Sequence, residues 1–117
     1  MTGPPVRLTP PPPLEFRLES SPAGVVRLAV VGEIDLATAG QLSEAAERAL
    51  TELRPSRLDI DLADVAFLDS TGINALMRIW RSGQENGYEV VVTNPRAPIA
   101  RVLTLTGVAS YLGLPDS

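Results

Sequence analysis

The segment spanning residues 58–80 constrains this chain more than any other, because its hydrophobic period changes midway. Leu58, Ile60 and Leu62 alternate with Asp59 and Asp61, the period-two pattern of a strand with one wet face. Ile73, Leu76, Met77 and Trp80 then fall at i, i+3, i+4 and i+7, one apolar stripe of a helix. Residues 65–73 join the two and carry Asp69-Ser70-Thr71-Gly72 at their centre. A strand leading into a helix places these four where the first backbone N–H groups lack intrahelical partners and the positive end of the helix dipole emerges. Such a place tolerates negative charge. Asp, Ser and Thr are also the residues that cap such an end, typically for ~1 kcal/mol. Gly72 is the odd member, since glycine early in a helix costs roughly 0.5–1 kcal/mol relative to alanine. It implies a close approach or a special dihedral, for which a partner reaching the Ser70 hydroxyl would be a reason.

The flanking chain reads as an α/β pattern. Residues 1–13 hold six prolines and no periodic apolar face, and are expected to be a disordered or polyproline-like tail without assigned function, leaving residues 14–117 as one domain. Leu14, Phe16 and Leu18 alternate with Glu15, Arg17 and Glu19 in a first strand, and the segment 20–24 with Pro22 and Gly24 is a hairpin turn. A second strand has Val26, Leu28 and Val30 on one face and ends in the loop Gly32-Glu33-Ile34-Asp35. Thr38 and Gln41 have capping-box spacing ahead of a helix whose stripe is Leu42, Ala45, Ala46, Ala49, Leu50 and Leu53. The central helix stops at Asn86-Gly87, residues 88–93 form a valine-rich strand, and Asn94-Pro95 opens a last helix with Ile99, Val102 and Leu103 inward. Gly107 ends it, and residues 108–114 are a short irregular tail.

Strands separated by helices imply parallel pairing through right-handed crossovers. The expected architecture is a four- to five-stranded mixed sheet, an N-terminal hairpin plus parallel strands, with helices mainly on one face and the other face largely wet. Parallel strands bring their C-terminal ends together. Residues 33–35, 64–72 and 93–95 are therefore expected to converge on one edge, where α/β sheets bind ligands and partners.

The composition excludes most self-contained chemistry. There is no cysteine and no histidine, and all ten basic residues are arginine. That removes the usual zinc ligands, thiol chemistry, a Ser-His-Asp triad, a Walker lysine and a Schiff base, so no metal, cofactor or enzymatic activity is expected. The missing lysine also counts against a receiver-domain reading of Asp59, Asp61 and Asp69. A net charge of −4 disfavours nucleic acid and favours a basic protein surface as partner. The most apolar run, residues 25–31, is broken by Arg27, so neither a membrane span nor secretion is indicated and a soluble cytoplasmic protein is expected.

Three separated motifs carry a resemblance: Val31-Gly32-Glu33-Ile34-Asp35 with Thr38, then Leu62 through Asp69-Ser70-Thr71-Gly72-Ile73, then Val102-Leu103 with Leu105-Thr106-Gly107. In this order they resemble the anti-sigma factor antagonist branch of the STAS domain family, over residues 14–114. The resemblance implies a bacterial partner switch in which Ser70 is phosphorylated by an anti-sigma factor that is a serine kinase, phosphorylation abolishes binding, and a PP2C-type phosphatase resets it. It makes Asp69 the oriented neighbour and Asp35 the acidic residue of a Gly-x-x-Asp loop. Ile73 stands where Leu is commoner and Asn74 where a small residue is usual. Together with the shared edge, this singles out Glu33, Asp35, Thr38, Asp69, Ser70, Thr71, Gly72, Asn74 and Asn94 as partner-facing.

Two other classes fit the same residues. A nucleotide-binding protein would gather Asp35, Asp69 and Ser70 around magnesium, but no lysine or glycine-rich phosphate loop supports it. A scaffold or sensor of the same fold would use Ser70 only as a cap.

Overall fold

The computed structural model describes residues 12–115, so the expectation of a disordered tail falls, except for the exposed Pro12 and Pro13, outside the described residues. The elements in chain order are β1 (Glu15–Ser20), β2 (Val25–Ile34), α1 (Ala39–Leu53), β3 (Arg57–Leu68), α2 (Ser70–Asn86), β4 (Glu89–Thr93) and α3 (Ala97–Leu105). They form one four-stranded sheet in the order β1-β2-β3-β4, with β1 antiparallel to β2 and the other pairs parallel. The mixed sheet and its N-terminal hairpin agree with the pattern in the sequence.

Alternation in the strands sends Val26, Leu28, Val30, Leu58, Ile60, Val90 and Val92 to one face, all buried. The apolar stripes of α1 and α2 pack there through Leu42, Ala46, Leu50, Ile73, Leu76 and Ile79. Each fully buried Leu or Ile contributes about 1.5–3 kcal/mol, so this shared layer is the main stabilising term. Residues 108–114 close the far side of the sheet: the Val92 amide donates to the Leu112 carbonyl at 2.8 Å, and Tyr111 stacks edge-on against Trp80 with ring centroids 5.2 Å apart.

Two features correct the reading from sequence. First, β2 and β3 are longer than alternation indicated, because both contain irregularities. Ala29 pairs with Asp61 but Val31 with Asp64, and Gly32 pairs with Val65 but Glu33 with Phe67. Each shift adds a residue to β3, so its inward positions become Leu62, Val65 and Leu68, a spacing of three that no longer looks like a strand. The loop expected from Gly32 is therefore strand as far as Ile34, and the junction expected from Val65 is strand as far as Leu68.

Second, Asp61 is buried, at 4% exposure, although its position in the alternation assigned it to a wet face. The Arg27 guanidinium covers it and donates through both Nε, at 2.9 Å, and Nη2, while the Ala63 amide donates to Oδ1 at 2.9 Å across the first bulge. A buried carboxylate is tolerated when it is paired in this way.

Candidate functional site

The candidate site lies where β2 and β3 end side by side. The Asp69 amide donates to the Ile34 carbonyl at 3.2 Å, which ties the start of α2 to the residue between Glu33 and Asp35. Asp69 is in extended conformation and is the cap of α2: its Oδ1 accepts from the Thr71 amide at 2.9 Å and the Gly72 amide at 3.3 Å. The Thr71 hydroxyl donates to the same oxygen. That hydroxyl bond, with the Gly72 and Thr71 amides, holds the Asp69 carboxyl below the usual range against the upward push of desolvation. Ser70 is the first residue of the helix and is exposed. The cap therefore belongs to Asp69, and the Ser70 hydroxyl stands outside it.

The neighbouring loop is also closed on itself. Asp35 Oδ1 accepts from the amides of Ala37 at 3.0 Å and Thr38 at 3.1 Å. The Thr38 hydroxyl donates to the Glu33 carbonyl at 2.7 Å and accepts from the Asp35 amide at 3.0 Å. Thr38 and Gln41 do not form the expected capping box. The Thr38 hydroxyl faces back into its own loop, and Gln41 Oε1 accepts from the Leu14 amide at 2.8 Å. Gly32, at φ +129, lies in a region open to glycine, and a Cβ there would sit 3.1 Å from Leu14 Cδ2.

The structure gathers Glu33, Asp35, Asp69, Ser70, Thr71 and Asn74 at this edge, but separates three of the expected partner-facing residues from it. Thr38, at 2% exposure, is buried and shapes the loop. Gly72 is buried as well: a Cβ there would lie 2.3 Å from Leu68 Cδ1 and 2.8 Å from Ile34 Cγ2, so its close approach is to the core and not to a partner. Asn94 is elsewhere. β4 stops at Thr93 beside Asp61, whereas β3 continues to Leu68, and at about 3.3 Å per residue this leaves Asn94 roughly 20 Å short of Asp69. Asn94 adopts φ +55 directly after β4 ends at Thr93, so its role is to turn the chain out of β4.

Three surface residues at the edge were not apparent beforehand. Leu36 is 82% and Phe67 47% exposed, on either side of the Ile34–Asp69 junction. Beside them a groove of about 270 Å³ runs between α1 and α2, lined by Leu36, Gly40, Thr71, Asn74 and Arg78. Arg78 follows Thr71 and Asn74 at helical spacing, a signal present in the sequence, whereas Phe67 was hidden by the broken alternation of β3. Among the described residues no group of three acidic side chains could hold a metal ion.

With this geometry in hand, comparison with known proteins is decisive. The STAS domain model matches residues 20–116. The chain belongs to the STAS domain family. Its STAS relatives include the anti-sigma-B factor antagonist of Listeria monocytogenes, 30% identical over 84 residues that cover 71% of this chain and 72% of the relative. A crystal structure of an anti-sigma factor antagonist from Mycobacterium paratuberculosis is 33% identical, covers 89% of this chain and 86% of its own, and superimposes with a TM-score of 0.72. The unphosphorylated form of the anti-sigma factor antagonist SpoIIAA shares the STAS fold at 18% identity and a TM-score of 0.70, covering 83% of this chain and 84% of its own.

Proposed function

We propose that this STAS protein is an anti-sigma factor antagonist acting in the cytoplasm as a binding switch, without catalysis of its own. Its unmodified form binds an anti-sigma factor that is also a serine kinase, which frees the sigma factor; phosphorylation of Ser70 ends the binding, and a PP2C-type phosphatase restores it. The names of its relatives support the first part. One observation carries the second: Asp69 engages the Thr71 hydroxyl and the first free amides of α2, while the exposed Ser70 hydroxyl beside it is left for a kinase.

The chemistry of the switch follows from charge. A phosphate adds about −1.5 to −2 units. At Ser70 it would meet the Asp69 carboxylate, which already occupies the amides of Thr71 and Gly72, with Glu33 and Asp35 across the Ile34 junction. The donors that would normally soothe an anion at a helix N-terminus are thus partly taken. Shifting a bound population from 99:1 to 1:99 requires about 5.5 kcal/mol. Like charges and desolvated phosphate at an interface supply several kcal/mol of that. Leu36 and Phe67 give the unmodified edge an apolar surface to bury against the partner. Incubation with the cognate kinase and ATP, followed by mass spectrometry, is expected to find phosphate on Ser70. Nucleotide turnover without a kinase, or no labelling, would contradict the reading.

A further inference from the structure

The two edges of the sheet are treated differently. On the outer side of β4 the Leu112 carbonyl accepts from Val92, whereas among the described residues β1 is paired only with β2. The hairpin sets which way the backbone groups of β1 point. The Ser21 amide donates to the Val25 carbonyl at 2.9 Å, making these two a hydrogen-bonded pair. Pairs alternate along an antiparallel ladder, so Glu19 and Arg17 turn their backbone groups toward Arg27 and Ala29. Phe16, Leu18 and Ser20 then present theirs outward. Beside this edge lies a groove of about 230 Å³ lined by Phe16, Leu18, Ala45 and Leu53, with Leu18 52% and Leu53 46% exposed.

We propose that a second copy of this chain docks here, pairing β1 with β1 antiparallel about a two-fold axis through Leu18. The axis stands perpendicular to the sheet, so helix-side residues meet helix-side residues. Leu18 then lies opposite Leu18 of the second copy, and Phe16 opposite Ser20, each with outward backbone groups. On the open face Arg17 lies opposite Glu19 of the second copy, and Glu19 opposite its Arg17. Among the described residues neither Arg17 nor Glu19 has an ion-pair partner within its own chain.

Other registers fail on this chain's own residues. An axis at Glu19 sets that residue against itself. An axis at Arg17 sets Arg17 against itself and Glu15 against Glu19, and like charges directly opposite are destabilising. An axis at Phe16 restores opposite charges but needs the Leu14 amide, which is already donated to Gln41 Oε1 at 2.8 Å. The register at Leu18 satisfies both the charges and the backbone, and covers Leu18. It produces one eight-stranded sheet whose Ser70 edges point to opposite ends, so each copy keeps its site free. The inference is independent of whether Ser70 accepts phosphate.

Sedimentation velocity and light scattering on the full chain, over roughly a hundredfold range of micromolar concentration, test it, since a single strand pair makes a small interface. The mass is expected to rise from the 12.4 kDa monomer toward twice that value. Arg17→Glu alone and Glu19→Arg alone are each expected to weaken association roughly tenfold or more, and a one-to-one mixture of the two variants to recover it, because every charge again faces its opposite. Leu18→Pro removes an outward amide without touching the β2 ladder and is expected to be monomeric. Thermal melts keep loss of fold separate from loss of association. A chain that stays monomeric at every concentration overturns the proposal. So does a dimer indifferent to both charge reversals, or one that mixing the variants does not restore.

Discussion

Ile34 and Asp69 are joined by a single backbone hydrogen bond of 3.2 Å, and through it the acidic loop after β2 and the capped start of α2 become one surface. Gly72 makes that junction compact, because Ile34 and Leu68 fill the space its side chain would need. Gly72→Ala tests this. Helix propensity alone would stabilise α2 by up to about 1 kcal/mol, while overpacking typically costs 1–3 kcal/mol. The contacts at 2.3 and 2.8 Å make overpacking the larger effect, so denaturant titration is expected to show a net loss of about 1 kcal/mol. A more stable variant would show that Leu68 and Ile34 give way freely.

Separating the cap from the exposed hydroxyl yields a second prediction. Asp69→Ala removes the acceptor of two amides and is expected to cost about 0.5–2 kcal/mol. Ser70→Ala removes none of those bonds, and a denaturant midpoint within about 0.5 kcal/mol of wild type is expected. A large loss in Ser70→Ala would mean that Ser70 holds the helix after all.

The three positions that were expected to face a partner but do not, Thr38, Gly72 and Asn94, show where reading the sequence stopped. The strands, their parallel order, the Asp69-Ser70-Thr71-Gly72 junction and the helical stripes were legible, because each rests on local periodicity or on residue types with one dominant use. Asn94 was misplaced because convergence of parallel strands assumes equal lengths, and β3 outruns β4. Its extra length was invisible because bulges replace alternation with Leu62, Val65 and Leu68. Asp61 looked wet because its cover, Arg27, comes from 34 residues earlier. Thr38 was read as a cap for α1, but its hydroxyl is used by Glu33 and Asp35 instead.

The Asp35 loop can be probed from both of its sides. Thr38→Val leaves the part-buried Asp35 amide and Glu33 carbonyl without their partner, and losing such a hydrogen bond costs about 1 kcal/mol. Thermal melts of Thr38→Val and Asp35→Ala are expected to fall together. Titration of the kinase partner is expected to show the greater loss of affinity in Asp35→Ala, since Thr38 is buried. Equal affinity in Asp35→Ala and wild type would remove Asp35 from the interface.

Acid should unfold the protein partly through two carboxylates. At Asp61, burial acts to raise the pKa, but the Arg27 and Ala63 hydrogen bonds outweigh it, so the group is held below its ordinary value of 3.8; Asp69 is lowered too. A pKa lower in the folded state stabilises fully above the unfolded value and less as pH falls through the folded one. Stability is thus expected to decline from about pH 4 downward. Asp61→Asn should be less stable at pH 7 and show a shallower decline, read by denaturant titration at each pH. An unchanged acid limb in that variant would assign the decline to other groups.

The most direct measurement is a calorimetric titration of the cognate anti-sigma kinase with three forms of the chain: unmodified, phosphorylated on Ser70, and Ser70→Ala carried through the same kinase reaction. Tight binding is expected for the first and third. For the phosphorylated form, affinity is expected to fall by roughly a hundredfold or more, the scale of several kcal/mol of like-charge and desolvation cost. Equal affinity for the phosphorylated and unmodified forms would contradict the account.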